Sequence, residues 1–126
     1  MPKQVLRNPG LVFKPLPFSP AVEANGIVWL AGQTGHAPGE TGAVPGGIKA
    51  ETRQALENIG VTLRAIGLDY TDVVKATVFM TNMNDFPQMN EVYREFFPAD
   101  FPARATVGVA RLASNYSIEI DIVAAR

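Results

Sequence analysis

"DVVKATVFM", Asp72 to Met80, puts Val73 and Phe79 on one face of an extended chain and Val74, Val78 and Met80 on the other. A strand that is apolar on both faces belongs inside a sheet covered on both sides. Its flanks limit what can do the covering. Upstream, from Ile48, the residues Thr52, Ala55, Leu56, Ile59, Leu63 and Ile66 recur at spacings of three and four, and Gly67 follows to end a helix in a left-handed turn. Downstream, "NMNDFPQMNEVYREFFP" (82–98) offers Asn84 or Asp85 as a cap and Pro87 in the first turn, with Phe86, Met89, Tyr93, Phe96 and Phe97 along one stripe. Two helices cover one face of a sheet. The other face is expected to meet a second copy of the chain, since obligate interfaces resemble a core cut in half.

Further out, Asn25-Gly26 between Ala21–Val22 and the run Ile27–Ala31 predicts a two-residue hairpin. "HAPGETGAVPGG" (36–47) reads as an exposed loop, and it lacks the Gly-Lys-Ser/Thr ending of a phosphate-binding loop. The last two strands fall at about 104–112 and 117–124, joined at "ASN". The order is β-β-α-β-α-β-β, an α+β chain forming a single domain over residues 1–126.

At 126 residues the chain is large enough for one core and too small for two. Net charge −1 and a pI near 5.8 give no electrostatic footprint for nucleic acid or an anionic membrane. Without cysteine there is no thiolate nucleophile and no Cys-based zinc site, and the lone His36 leaves no His pair for a metal. "MPKQVLRNPGLVFKPLPF" (1–18) has no uninterrupted apolar run of leader type, so a soluble cytoplasmic protein is expected.

One residue does not fit its strand. Arg104 sits where an apolar side chain would be easier, and a guanidinium cannot shed its charge, so something anionic must meet it. If strands 104–112 and 117–124 form a hairpin, Val107 and Val109 share a core with Ile118, Ile120 and Ile122. Arg104, Thr106 and Glu119 then lie together on the opposite face, beside Gly108. That face suits a small molecule, and an ion pair between Arg104 and Glu119 at an interface is the structural alternative. Asn90 lies within the Phe86–Tyr93–Phe97 stripe and needs partners. His36 is expected to be solvated, Trp29 and Phe96–Phe97 to be core, and Arg111 to be exposed.

"AGQTG" (31–35), "VVKATVFMTNMNDFPQMNEVYREFF" (73–97), "FPARATVGVARL" (101–112) and "IEIDIVA" (118–124) resemble the RidA (YjgF-type) reactive intermediate deaminase family, from Pro17 onward. The resemblance implies a chorismate-mutase-like α+β subunit, with two helices on one face of a mixed sheet, that assembles as a homotrimer with a site in each cleft between subunits. It implies hydrolysis of 2-imino and 2-enamino acids, of the 2-aminoacrylate or 2-iminobutanoate type, to 2-keto acids and ammonia, with no metal and no organic cofactor. By resemblance, Arg104 grips the substrate carboxylate and Glu119 is associated with the attacking water. Asn90 matches a pocket asparagine, and Gly32 and Thr106 fall in strands lining the cleft. Ser19 stands where the best-known members have a pocket tyrosine, Ala31 replaces a serine and Thr106 a cysteine.

The residue types suit that chemistry. A guanidinium fork binds a planar carboxylate through two parallel hydrogen bonds, and an imine is electrophilic enough to need only an oriented water and a proton acceptor. Two competing classes are an RNA-cleaving or translation-inhibiting protein, which the acidic pI weighs against, and a carboxylate-binding trimer without turnover, whose cleft would look the same.

Overall fold

The computed structural model describes residues 2–7 and 16–126, so the N-terminal stretch 1–18 lies partly outside the described residues. The strands are β1 (Gln4–Leu6), β2 (Ala21–Ala24), β3 (Ile27–Leu30), β4 (Gln33–Thr34), β5 (Val73–Met80), β6 (Ala103–Gly108) and β7 (Ile118–Ala125). The helices are α1 (Gly47–Ala65) and α2 (Phe86–Phe96). One mixed sheet runs β1-β2-β3-β7-β5-β6, with β4 also paired to β7. The expected elements are present, and β1 and β4 are two short strands beyond them. The β2–β3 hairpin turns on Asn25 (φ 53°) and Gly26 (φ 78°), the two positive φ values that an Asn-Gly turn supplies.

Both helices lie on one face. Leu56, Ile59 and Leu63 of α1 and Met89 of α2 are fully buried against Val78, Met80, Ile118, Ile120 and Ile122 of the two central strands. Gly67 ends the α1 turn at φ 80°, as its position suggests. Asp85 precedes α2 without a side-chain cap bond; Asn82 instead accepts from the Asn84 N–H, one turn earlier.

Among the described residues the opposite face of the sheet carries no helix. Trp29 is 46% exposed and Val107 40% exposed, which corrects the assignment of both to the core. β5 also differs in phase: a bulge at Val74 turns Val73 toward Ala124 and the helices, while Phe79 stays on the bare face. Lys75 and Thr77 share that face with Phe79, so β5 is less apolar there than an unbroken period of two implies.

The largest correction concerns the last two strands, which form no hairpin. β6 pairs parallel with β5, and β7 pairs antiparallel with the other side of β5. A parallel pair needs a crossover connection, and α2 between β5 and β6 is that crossover. β6 ends at Gly108, and a segment with Ser114 (φ 52°) and Asn115 (φ 59°) in left-handed conformations carries the chain past the end of β5 to β7.

Candidate active site

The strand order settles where the ionisable groups point. Arg104 pairs with Ala76 and Thr106 with Val78, both buried against the helices, so Arg104 and Thr106 face α2 from the edge of the sheet. Glu119 pairs with Phe79 and, on its other side, with Thr34, on the bare face. Within one chain Arg104 and Glu119 therefore lie on opposite faces. The single-face arrangement expected from a hairpin is overturned, and with it an ion pair between the two inside one subunit.

Arg104 is half-buried, with its guanidinium carbon 4.6 Å from the centroid of the Tyr93 ring and 5.6 Å from that of Phe86. A guanidinium at that distance over an aromatic face is held by a cation–π contact, which leaves its N–H groups available for a carboxylate. Among the described residues no carboxylate is within ion-pair distance of it. The hydroxyls of Tyr93 and Thr106 are buried and without a hydrogen-bond partner among the described residues. Such groups each cost about 1–3 kcal/mol when left unpaired. Above Arg104 opens a cleft of about 330 Å³ lined by Asn90, Tyr93, Arg94, Phe101, Pro102 and Arg104. Asp100, at φ 50°, turns the chain after α2 so that Phe101 and Pro102 form its wall.

Glu119 has its own setting. A Cβ on Gly32 would come within 2.8 Å of Glu119 Oε2, so a side chain at 32 would displace the carboxylate. Gly32 lies between β3 and β4 rather than in a strand. Ser19, half-buried, precedes Pro20, whose carbonyl accepts from the Ala31 N–H at 2.9 Å, next to Gly32. Burial pushes the Glu119 carboxyl above the usual carboxylate range, and the charge of Asp121 adds to it. Burial raises Asp121 as well, against a hydrogen bond from Thr77. The β4 segment beside Glu119 is held from behind: Asn58 Nδ2 donates to the carbonyls of Thr34 (3.1 Å) and His36 (2.9 Å), and Gly35 leaves no room for a Cβ against the Glu51 backbone.

His36 is half-buried rather than solvated, with Nδ1 3.0 Å from Thr34 Oγ1 and its ring edge-on to Tyr116. Arg111 is exposed, as expected. Among the described residues no three His, Asp or Glu side chains cluster as metal ligands. Tyr93 and Arg94 line the cleft with Asn90 and Arg104, and the sequence reading did not name either as a candidate. Their signal is spacing, because residues three and four after Asn90 share its helix face, but Tyr93 falls within the apolar stripe and nothing in the sequence singles out Arg94.

A mixed sheet with two helices on one face, and an arginine on its edge strand beside a cleft, makes this an open-faced α+β subunit. Residues 14–126 match the model of the family described as Endoribonuclease L-PSP, and the chain belongs to that family. The human 2-iminobutanoate/2-iminopropanoate deaminase is 44% identical over 108 residues, covering 86% of this chain and 79% of that protein. The crystal structure of a Rid family protein of unknown function from Yersinia pestis superposes with a TM-score of 0.91 at 34% identity, covering 99% of this chain and 100% of that one. E. coli TdcF with bound serine gives a TM-score of 0.82 at 37% identity, covering 95% and 94%.

Proposed function

We propose that the chain hydrolyses reactive 2-imino acids, and 2-enamino acids through their imine tautomers, to 2-keto acids and ammonia. The site is completed between neighbouring copies in a homotrimer, with Arg104 of one copy facing Glu119 of the partner subunit. The observation that carries this reading is the separation of the two groups. A stacked guanidinium without a carboxylate stands on one side of the sheet, and a carboxylate of raised proton affinity stands on the bare, aromatic-bearing other side. Each is half of a site. Packing the bare face of one copy against the sheet edge of the next supplies the other half and covers Trp29 and Val107. The deaminase name of relatives at 42–44% identity and the bound serine of TdcF, a small molecule with a carboxylate, support the substrate class.

The geometry suits the reaction. The Arg104 fork holds the substrate carboxylate while the Tyr93 ring keeps the fork from rotating, which fixes the neighbouring imine carbon. Glu119 of the partner subunit accepts a proton from water as its oxygen bonds to that carbon. The same carboxyl returns that proton to nitrogen, giving a carbinolamine, then takes the second proton from the new hydroxyl and passes it to nitrogen as the carbonyl forms, the carbon–nitrogen bond breaks and ammonia leaves. Atoms balance as imine plus water giving keto acid plus ammonia. Burial matters to the base: a carboxylate held above its ordinary range is a stronger proton acceptor than a solvated one. A chain of net charge −1 is poorly suited to RNA as substrate.

The test is a coupled assay in which an amino-acid oxidase or dehydratase generates the imine and its disappearance is followed. Decay accelerated in proportion to added protein supports the reading. Decay at the uncatalysed rate for 2-iminopropanoate, 2-iminobutanoate and longer imines alike overturns it.

A further inference from the structure

The cleft over Arg104 holds a second guanidinium that imine hydrolysis does not require. Arg94 lies one turn beyond Asn90 on α2, lines the same cleft, and sits with its guanidinium carbon 5.7 Å from the centroid of the Phe101 ring. The acids on either side of it in sequence are already engaged elsewhere. Glu91 pairs with Lys49 at 2.6 Å and Glu95 with Arg53 at 2.8 Å, both across to α1. Among the described residues of the same chain no carboxylate lines the cleft. A chain of net charge −1 has thus gathered two arginines, each laid on an aromatic ring, around one concavity.

We infer that Arg94 is a specificity-determining residue, and that the preferred substrates are 2-imino acids carrying a second carboxylate on the side chain, of the kind formed from aspartate or glutamate. The inference rests on the imine-hydrolase reading and names the substrate class of that same site. Arg104 takes the carboxylate next to the imine carbon; Arg94, farther out along α2, takes the distal one. One guanidinium would suffice for 2-iminopropanoate. Two charges at different depths discriminate by length and charge, because a monocarboxylate leaves the outer one unanswered.

The experiment compares kcat/KM for 2-iminoglutarate and 2-iminobutanoate, each generated in situ by an oxidase, in the wild type and in Arg94→Gln and Arg94→Glu. Calorimetric titration with the stable products 2-ketoglutarate and 2-ketobutyrate provides a readout that needs no turnover. Arg94 is exposed, so these variants are expected to fold. A charge-assisted hydrogen bond is worth about 1.5–3 kcal/mol, so Arg94→Gln should lower the dicarboxylate-to-monocarboxylate ratio by roughly tenfold to a hundredfold, and Arg94→Glu further. A wild type that favours the monocarboxylate, or a ratio unmoved in both variants, overturns the inference while leaving imine hydrolysis standing. If neither imine is hydrolysed but 2-ketoglutarate binds through Arg94, the hydrolase reading fails and the assignment of Arg94 survives.

Discussion

Replacing Arg104 by lysine keeps the charge and removes what the structure gives the guanidinium. The side chain is half-buried and lies 4.6 Å from the Tyr93 ring centroid, so its plane is set before a carboxylate arrives. Lysine would lose one arm of the two-point grip, about 1.5–3 kcal/mol for a hydrogen bond to a charged group. It would also lose stacking worth about 0.5–2 kcal/mol. Together these reach roughly 2–5 kcal/mol, or about thirtyfold to several thousandfold in kcat/KM. Truncation to alanine falls in the same range, because removing one partner of a buried charge pair costs about 2–5 kcal/mol. Arg104→Lys is therefore expected to fail nearly as badly as Arg104→Ala. The assay is imine loss under coupled generation, with sedimentation confirming that both variants keep the wild-type assembly. Arg104→Lys within about threefold of wild type would refute the fork and leave only a point charge. Arg104→Ala that dissociates instead of losing turnover would make this arginine an interface residue.

Further outcomes follow from the same structure. Asp121→Asn removes a negative charge that raises Glu119, so the acid limb of the kcat/KM profile should move to lower pH; an unmoved limb means that Glu119 is not the group titrating. Sedimentation equilibrium should return the mass of a trimer, and Trp29→Asp on the bare face should lower it toward 13.6 kDa. A wild-type monomer at micromolar concentration contradicts the use made of that face. Imine hydrolysis should be indifferent to EDTA, and loss of activity that zinc or manganese restores would require a metal that the proposed chemistry does not use.

Much of this was legible in the sequence, for reasons that also explain what was not. The two helices were visible because their periodicity ran over several turns with punctuation at the ends: Gly67 after α1, Pro87 at the start of α2. The Asn25-Gly26 turn carries its own backbone requirement. Arg104 announced itself as a charge inside an apolar strand. Pairing was the weak point, because it is a long-range property. "ASN" at 113–115 looked like a hairpin turn, yet the β5–α2–β6 order already implied a parallel crossover, which separates β6 from β7 by the width of β5. One wrong neighbour reversed the face of every residue on β6, and Arg104 and Glu119 came out together when they lie apart. The bulge at Val74 had the same effect on a smaller scale. Arg94 was missed because a surface arginine on a helix is ordinary until the cleft beside it is known.

The central claim is that the site exists only between copies, and subunit mixing tests it directly. Arg104→Ala and Glu119→Gln proteins, each inactive alone, are denatured together in equal amounts and refolded, or co-expressed. In a cyclic trimer each cleft draws its arginine from one copy and its glutamate from the next. Random assortment then gives about one cleft in four both wild-type groups, and about a quarter of wild-type activity should return. A mixture that stays at the level of its inactive parents, with exchange of subunits verified by mass, would place both groups of the site within one chain and contradict the account.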